Sequence, residues 1–400
     1  MPTAGSGARA LASLRVLDVS TLFAGPATAA ILADFGADVV KVELPGADPL
    51  RAIGAQRNGH SLPWALVGRN KRVITVDPAR GDVLRRLVAV SDVVVLNQPR
   101  PLLEQWRCTP EDIEALQPRA VVVWATAYGA DGPYAARPGN GTLGEAFAGF
   151  THMTGEADGP PVLPSAPLGD ALTGIAGALG ALVACYWRDA GGGTGQVVDV
   201  SMFEPVVAVL GTALAAWLPS MPPPSRTGSR VPGGVPRNVY RAGDGRWVAV
   251  SGTTDAQVAR LLPLIGLGTP EAAARYGRSE DRLRNGDELD GLVAAWVAAR
   301  PAEEAVRALD RARIPVTLVN DLATLWADPH VQARGSVARV ADEAIGEVLM
   351  PAPFPHLSRT PGTIDWSGRD VGADTDAVCR DWLGLPQDAI DALRAAGAIA

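Results

Sequence analysis

Short runs of β-branched residues alternate with longer amphipathic or alanine-rich runs through the first half of the chain. The runs with strand character lie at 15–20, 38–43, 73–77, 92–97 and 120–129, with helical runs such as 26–36 and 81–90 between them. Strands that alternate with helices form βαβ units, in which neighbouring strands pair in parallel within one sheet. Pro26 suits the first turn of a helix and Gly36 its left-handed end, so the first helix has well-marked limits. The pattern predicts an α/β protein built on a parallel sheet.

The pattern changes after residue 218. A further buried strand at 196–201 and a helix at 202–218 precede the change. Residues 219–236 are so rich in Pro, Gly and Ser that they form a linker or an ordered loop. A strand and several amphipathic helices follow, which predicts a smaller second domain at 237–314. Strand and helix signals resume at 315–400, and periodicity alone does not assign this tail to either domain.

Composition supports two domains and narrows the partners. A chain of 400 residues with 47% hydrophobic and 20% charged content is too long for one ordinary core. Lys and Arg total 36 against 43 Asp and Glu, and the net charge of -7 argues against general binding to nucleic acid or anionic membranes. A local basic patch for an anionic ligand is compatible with this charge.

Cysteine and histidine usage argues against disulfides and metal sites. The three cysteines are far apart, which fits a reducing cytoplasm, and no two of the four histidines have metal-ligand spacing. The first thirteen residues are small and polar without an apolar centre, so no secretory signal is expected. The apolar runs punctuated by Gly and Ala are expected to be buried helices rather than membrane spans. Any chemistry is therefore expected to depend on carboxylates.

Asp170 stands at the head of a long apolar helical run at 167–187. Asp is a favourable N-cap, so one interpretation is purely structural. However, Gly174, Gly177 and Gly180 recur every three residues along this run, and each costs roughly 1 kcal/mol relative to alanine. Their shared face predicts close approach of another backbone or of a ligand. A carboxylate at the positive end of such a helix would stay ionised and nucleophilic.

The first strand–helix junction, at 18–30, is a second candidate site, because a helix start can hold a phosphate. A dinucleotide would use Glu43 for its ribose and needs three glycines in this turn. Only Gly25 is present, which disfavours nicotinamide or flavin binding. Four further loops are either functional or ordinary turns, and they lie at 70–72, 97–101, 128–134 and 231–236.

Taken in order, these pieces resemble the family III CoA-transferases, the formyl-CoA transferase and carnitine CoA-transferase group that also contains the α-methylacyl-CoA racemases. The resemblance runs from residue 15 almost to the end of the chain. The matching stretches are 15–20, 24–43, 70–72, 92–97, 155–162, 167–182, 195–201, 328–335 and 357–362.

The resemblance implies a discontinuous Rossmann-like large domain, a smaller α+β domain and a homodimer of interlocked chains. Residues 1–218 would form the first part of the large domain, 219–236 the linker with a glycine loop, 237–314 the small domain, and 315–400 the return to the large domain. The implied substrates are an acyl-CoA and a small carboxylic acid, with no permanently bound cofactor, metal, nucleic acid or membrane partner.

The resemblance also implies roles for particular residues. Asp170 matches the catalytic aspartate, which attacks the acyl-CoA thioester and carries first an anhydride and then a CoA thioester. Gly233 and Gly234 match a glycine loop that covers the intermediates. The residues in positions that contact CoA are Phe23, Ala24, Val76, Asp77, Arg80, Asn97, Gln98, Arg100, Arg137, Gly139 and Asn140.

Departures from the family pattern leave alternatives open. Racemase-like members carry a His where this chain has Asn140 and a Glu where it has Arg241, so transfer is favoured over racemisation. Basic residues of the family are replaced at Leu44 and Gln105, which keeps a non-catalytic CoA-binding paralogue open. The residues that could supply the charge instead are Arg51, Arg80, Arg100 and Arg107.

Overall fold

The computed structural model describes residues 9–400. The expectation about a secretory signal therefore concerns residues that lie mostly outside the described part. The described chain divides into two compact units. The large unit comprises residues up to 150, 163–218 and 332–400, and the small unit comprises 151–162 and 219–331.

These limits differ from the predicted domains at two places. Residues 151–162 belong to the small unit, and the chain returns to the large unit at 332 rather than 315. The physical reason for the second difference is strand pairing, because Val316–Leu318 forms hydrogen bonds to a strand of the small unit. Periodicity identified this strand but could not identify its partner.

The large unit is built on a six-stranded sheet in which every pair of neighbours is parallel. Its order is β5-β2-β1-β6-β7-β8, the arrangement of a Rossmann fold. The predicted α/β architecture with a large parallel sheet is confirmed. The strands, with the short β3–β4 hairpin outside the sheet, are β1 Arg15–Asp18, β2 Asp38–Glu43, β3 Gln56–Arg57, β4 His60–Ser61, β5 Lys71–Thr75, β6 Val93–Leu96, β7 Val121–Thr126 and β8 Val197–Ser201.

Helices cover both faces of this sheet, which explains why its strands are almost continuously apolar. The helices of the first 218 residues are α1 Ala24–Asp34, α2 Leu62–Val67, α3 Val83–Ala89, α4 Arg100–Trp106, α5 Pro110–Leu116, α6 Gly141–Phe147, α7 Phe150–Met153, α8 Leu168–Trp187, α9 Glu204–Val209 and α10 Gly211–Ala216. A 3₁₀ turn lies at Pro49–Ala52 and a π turn at Arg188–Gly192.

Strand β6 illustrates how the two faces are filled. Val93 and Val95 pack with α1 and α8, whereas Val94 and Leu96 pack with α3, α5 and two helices from the end of the chain. These last helices are α18 Thr375–Leu383 and α19 Gln387–Ala395. They follow a hairpin formed by β12 Val337–Asp342 and β13 Gly346–Pro351. The elements numbered in between lie before this hairpin and are described with the small unit. The end of the described chain thus completes the core of the large unit.

The small unit contains a three-stranded antiparallel sheet in the order β11-β10-β9. Its core is apolar and includes Val248, Leu261, Val293 and Leu309, all fully buried. The elements are β9 Arg237–Arg241, β10 Trp247–Ser251, α11 Asp255–Leu264, α12 Pro270–Tyr276, α13 Ser279–Arg284, α14 Gly286–Ala298, α15 Ala302–Arg311, β11 Val316–Leu318, α16 Leu322–Ala327 and α17 Pro329–Arg334, the last of which runs into the large unit.

The glycine face of α8 packs against other elements, as its spacing predicts. A Cβ on Gly174 would lie 2.8 Å from Cβ of Ala27, and one on Gly177 would lie 2.5 Å from Oγ1 of Thr28, both on α1. A Cβ on Gly180 would lie 2.5 Å from Val198 of β8. The glycines therefore allow α8 to lie against α1 and the edge of the sheet, which fixes the position of its first turn.

Segment Leu168–Gly192 is long and apolar enough to cross a membrane by length and composition alone. Within its most apolar stretch, 44% of the residues are buried in the protein. The opposite face carries exposed apolar side chains, among them Leu179, Val183, Tyr186 and Trp187.

Candidate functional site

The order of the large sheet locates a crevice between β1 and β6, where the direction of the strand order reverses. The loops after these strands are linked by Asn97, whose Oδ1 accepts a hydrogen bond from the Thr21 N–H at 2.9 Å and whose Nδ2 donates to the Thr21 carbonyl at 2.7 Å. Gln98 Nε2 donates to the carbonyl of Val19 at 2.7 Å. Two residues predicted to contact CoA thus hold the β1–α1 loop with their side chains.

Asp48 and Lys41 also hold the β1–α1 loop. Asp48 Oδ1 accepts from the Leu22 N–H at 3.2 Å, and Leu22 adopts a positive φ of 65°. Fully buried Lys41 donates to the Ser20 carbonyl and pairs with Asp48 at 3.2 Å. Side chains on three segments therefore impose one conformation on this loop.

Another buried ion pair lies under the start of α1. Lys71 Nζ is 2.8 Å from Asp18 Oδ2 and donates to the carbonyl of Pro26 at 2.7 Å. Burial lowers the pKa of Lys71 to about 8, although Asp18 opposes the shift. Burial by itself would raise the pKa of Asp18, but Lys71 and Lys41 hold that pKa below its ordinary value. The pair therefore remains ionised at neutral pH.

Helix α1 begins without a side-chain cap. Phe23 occupies the N-cap position and makes no side-chain capping bond, and buried Ala24 follows it. A Cβ on Gly25 would lie 2.4 Å from the Ser20 side chain, so glycine is required where the loop enters the helix. An uncapped helix start can donate its N–H groups to an anionic ligand.

A cavity of about 470 Å³ lies at the carboxyl ends of β6 and β7. Trp124 lines it and donates from Nε1 to the Gln98 carbonyl at 3.1 Å. Its lining includes five of the predicted CoA contacts, which are Asn97, Gln98, Arg100, Arg137 and Gly139. Residues distant in sequence are thus brought together around one space.

The two arginines of this cavity differ in their partners. Arg100 pairs with Glu111 at 2.6 Å, and its guanidinium lies 5.8 Å from the Trp124 ring. Arg137 stacks 3.6 Å over the ring of Tyr134 and makes no ion pair within residues 9–400. Arg137 is therefore the cation of this cavity whose charge is not already neutralised.

The other predicted basic residues and their neighbours lie outside the lining of this cavity. Arg80 pairs with Asp77 at 3.2 Å, and the side chain of Val76 is fully buried in the core. Arg51 donates to both carboxylate oxygens of buried Glu43. Glu43 is therefore not available to bind the ribose of a dinucleotide. These side chains are engaged within the protein.

Asp170 lies in the first turn of α8 but is not its cap. The helix begins at Leu168, Pro167 occupies the N-cap position and no side chain caps the helix, so the interpretation of Asp170 as an N-cap is wrong. The N-cap position lies at Pro167, three residues earlier than the cap interpretation requires. The Asp170 carboxylate accepts hydrogen bonds from the backbone N–H groups of Gly141 and of Asp170 itself.

The space for this carboxylate depends on glycine. A Cβ on Gly141 would lie 2.2 Å from Oδ2 of Asp170, and a Cβ on Gly169 would lie 2.5 Å from the carbonyl oxygen of Gly141. Burial and the charge of Glu145 raise the pKa of Asp170 to about 6. The group is therefore mostly ionised at neutral pH, and it is more basic than an ordinary carboxylate.

Three consecutive residues connect the cavity with Asp170. Gly139 lines the cavity, Asn140 caps α6 by accepting from the Leu143 N–H at 3.1 Å, and Gly141 contacts the carboxylate. The side chain of Asn140 is thus used in a helix cap. A molecule in the cavity that extends along this segment would reach Asp170.

Two features near Asp170 were not identified from the sequence. Glu145 is buried, and Oε1 accepts from the Gly169 N–H at 2.8 Å. Its only sequence signal is a lone acid four residues after Gly141 within a small apolar helix. The second feature is a cluster of edge-to-face rings formed by Tyr128, Tyr134, Phe147 and Phe203.

The predicted glycine loop belongs to the small unit. Gly233 has a φ of +87°, and a Cβ on Gly234 would lie 2.6 Å from Thr253. The loop lines a cavity of about 400 Å³ together with Arg230 and the segment 283–288. Its role over reaction intermediates stays a prediction. Within the described residues, no three His, Cys, Asp or Glu side chains are grouped as metal ligands.

Comparisons with known proteins agree with this architecture. The family model of CoA-transferase family III matches residues 11–375. The chain is 36% identical over 394 residues to a succinyl-CoA–D-citramalate CoA-transferase of Chloroflexus aurantiacus, covering 97% of each chain. It is 34% identical to the alpha subunit of a succinyl-CoA–L-malate CoA-transferase of that organism, covering 98% of this chain and 94% of the relative. A crystal structure of a CaiB/BaiF family protein from Brucella suis superposes with a TM-score of 0.82 at 26% identity over 93% of this chain and 99% of that one.

Proposed function

Because the chain belongs to CoA-transferase family III, we propose that this CoA-transferase moves CoA from an acyl-CoA to a carboxylic acid through covalent intermediates on Asp170. The observation that carries the proposal is the Asp170 carboxylate, placed in a helix start, raised in pKa to about 6 and connected by residues 139–141 to the cavity.

The donor half-reaction has two steps. One Asp170 carboxylate oxygen attacks the thioester carbonyl, the carbon–sulfur bond breaks, and an acyl-aspartyl anhydride and CoA thiolate are formed. The thiolate then attacks the aspartyl carbonyl of the anhydride. An aspartyl-CoA thioester forms, and the donor acid leaves as its carboxylate.

The acceptor half-reaction reverses this order. The acceptor carboxylate attacks the aspartyl-CoA thioester, which releases CoA thiolate and forms a second anhydride. Thiolate attack on the acceptor carbonyl gives the new acyl-CoA and restores the Asp170 carboxylate. No proton is consumed, and the thioester activation is retained provided that water is excluded. The Gly141 N–H supports this scheme, because it already donates to the carboxylate that changes charge.

We place the CoA moiety along the crevice and its cavity. The uncapped start of α1 at Phe23 and Ala24 suits a phosphate, and Arg137 offers a cation that forms no ion pair within residues 9–400. Trp124 and the Tyr134 ring supply apolar surface beside it.

For the acyl groups, we propose succinyl-CoA as donor and a short hydroxydicarboxylic acid as acceptor. The support is the similarity to the citramalate and malate enzymes over nearly the whole chain. Racemisation has less support, because Asn140 caps a helix and supplies no base for the second face of an α-carbon. Solvent deuterium entering the α-carbon without acyl exchange would favour the racemase instead.

We also propose a homodimer of interlocked chains in the cytoplasm, without a nucleic acid or membrane partner. Support for self-association comes from the exposed apolar face of α8 and from a groove of about 320 Å³ between α1, α8 and residues 354–357. The three cysteines are unbonded and buried, which suits a reducing compartment. Light scattering of the pure protein tests the dimer, and a monomer at micromolar concentration would contradict it.

The nucleophile is tested by trapping. The protein is incubated with succinyl-CoA and then with hydroxylamine, and peptides are analysed by mass spectrometry. We expect an aspartyl hydroxamate at Asp170, and we expect Asp170→Ala to abolish both the adduct and CoA transfer to malate or citramalate. Transfer that persists in Asp170→Ala would exclude Asp170 as the nucleophile. CoA binding without turnover across a broad panel of acids would favour a non-catalytic paralogue.

A further inference from the structure

Glu145 is a buried acid whose two oxygens are used differently. Only 1% of the residue is exposed. Oε1 accepts a hydrogen bond from the Gly169 N–H at 2.8 Å, and Gly169 directly precedes Asp170. Oε2 is buried and has no hydrogen-bond partner among the described residues. A carboxyl group in this state is costly, because burial removes water and only one oxygen regains a partner.

Close backbone packing keeps Glu145 in this place. A Cβ on Gly144 would lie 2.7 Å from the Met202 carbonyl oxygen, so α6 lies against the β8–α9 corner. On its other side, α6 meets the start of α8 through Gly141 and Gly169. Close contacts on both sides therefore hold the helix that carries buried Glu145.

In the part of the chain that the structure describes, no ion pair compensates Asp170 and Glu145. Neither Asp170 nor Glu145 forms an ion pair with any Lys or Arg of residues 9–400. On α9, exposed Glu204 accepts from the Ser201 hydroxyl at 2.7 Å, and on β8 Asp199 accepts from the Ala130 N–H at 2.9 Å. Helix α8 itself carries no Lys or Arg, and Arg188, which follows its far end, pairs with Asp189. Glu204 and Asp199 thus have partners of their own, and neither supplies a positive charge to Asp170 or Glu145.

We propose that Glu145 is a positioning residue that acts through Asp170, fixing the Gly169 backbone with one oxygen and making the Asp170 carboxylate more nucleophilic by charge repulsion. The inference rests on the proposed role of Asp170 and adds a residue to it. Like charges disfavour each other's ionised forms, and Glu145 follows burial as a cause of the raised pKa of Asp170. A carboxylate of higher pKa is a stronger nucleophile when it is ionised, but it is protonated sooner as the pH falls.

The first experiment needs no substrate. The melting temperatures of the wild type and of Asp170→Asn are compared from pH 5 to pH 8, and the same pair is measured in the Glu145→Gln background. In the wild type, we expect the stabilising effect of Asp170→Asn to grow as the pH rises from about 4 to about 6 and to level off above the folded pKa of Asp170. With Glu145→Gln, the growth is expected to be smaller and to occur at lower pH. Identical curves in the two backgrounds would overturn the charge effect.

The second experiment uses the rate of adduct formation at Asp170 with succinyl-CoA. With a pKa of about 6, roughly one Asp170 in ten is ionised at pH 5, so Glu145→Gln can gain up to about tenfold there. At pH 8 we expect Glu145→Gln to react no faster than the wild type, because its nucleophile is weaker. This crossing of the two pH profiles is not expected of a residue with a structural role alone.

Two further variants separate the hydrogen bond from the charge. Glu145→Ala removes the charge and also the acceptor of the Gly169 N–H, whereas Glu145→Gln removes the charge and retains an amide oxygen as acceptor, so we expect adduct formation in Glu145→Ala to be about tenfold slower than in Glu145→Gln at both pH values. Glu204→Gln removes an acid that does not contribute to the pKa of Asp170 and should leave the profile as in the wild type.

Each outcome has a distinct meaning. If Asp170 forms its adduct and the Glu145→Gln profile coincides with that of the wild type, the charge role of Glu145 is wrong and the proposed function stands. If Glu145→Ala matches Glu145→Gln, the positioning role is wrong. If no adduct forms on Asp170 in the wild type, the proposed function fails, and the melting experiment still decides whether Glu145 acts on Asp170.

Discussion

The β1–α1 loop and the Asp170 corner differ in whether their polar groups have partners. The Asp170 corner comprises Gly141, Glu145, Gly169 and Asp170. Around the loop, Asn97, Gln98, Lys41 and Asp48 direct their polar groups to backbone atoms or to each other. Around Asp170, two acids lie close together without an ion pair to any cation of the described chain, and one oxygen of Glu145 has no hydrogen-bond partner there. The loop is stabilised by its network of hydrogen bonds and ion pairs. The two acids of the corner instead destabilise the folded state locally, and packing elsewhere in the large unit must offset this. A binding surface gains from rigidity, and a nucleophile gains from being under-solvated.

The largest effect is expected from a substitution that fills the space beside the Asp170 carboxylate. Gly141→Ala places a Cβ at 2.2 Å from the Asp170 carboxylate, so we expect kcat to fall about a hundredfold or more. Steady-state CoA transfer measures the effect. Gly211→Ala is the matched control, because nothing lies within 4 Å of the added Cβ. If both variants keep wild-type kcat, the geometry described for Asp170 is not the reactive one.

The ionisation of Asp170 is expected to lower the free energy of unfolding. A pKa raised to about 6 means that the folded state binds a proton more tightly than the unfolded state, so stability falls as pH rises from about 4 to about 6. We expect Asp170→Asn to stabilise the protein by about 2 kcal/mol at pH 8 and by about half of that at pH 5. Urea unfolding at the two pH values measures this. A destabilised Asp170→Asn protein at pH 8 would show that Asp170 is not under-solvated.

Loosening the loop should affect binding more than chemistry. Asn97→Ala removes both hydrogen bonds to Thr21, and we expect the KM for acyl-CoA to rise about tenfold with a smaller change in kcat. Asn97→Asp keeps the acceptor for the Thr21 N–H and loses the donor, so an intermediate KM is expected. A change in kcat alone would assign Asn97 to the chemistry rather than to the loop.

The smallest effect concerns the two arginines of the cavity. Arg137→Ala is expected to raise the KM for CoA about fivefold, and the effect should shrink at high salt, because Arg137 forms no ion pair within residues 9–400 and its charge is available to the ligand. Arg100→Ala should change KM less, since Glu111 already neutralises that charge. Equal effects of the two substitutions would show that internal pairing does not decide which arginine serves the ligand.

The elements of the large unit could be predicted because their signals are local. Pro26, Gly36 and the β-branched runs give strands and helices, and the glycines of α8 indicate a close contact. The partner of β11 could not be predicted, because a three-residue strand carries no information about which sheet it joins.

The same limit applies to the site. Asp170 was identified through its resemblance to a family motif, but Pro167 rather than Asp170 holds the cap position. The side chains of Asn97 and Asn140 hold a loop and a helix start, uses that depend on tertiary neighbours. Glu145 resembles any acid on a short helix until Gly169 is placed beside it. Partners separated along the chain are what sequence patterns do not contain.

The way α18 and α19 complete the sheet has a consequence for synthesis on the ribosome. Val378 and Ile390 fill the face that Leu17 and Val94 share, and Val76 pairs with Ile399. More than three hundred residues separate Leu17 from Val378, so the core cannot close until almost all of the chain has emerged. Most of the small unit, at 219–331, is made before then as one contiguous stretch. We therefore expect the small unit to fold first. Until α18 and α19 are made, one apolar face of the large sheet is uncovered, and we expect chaperones to bind it.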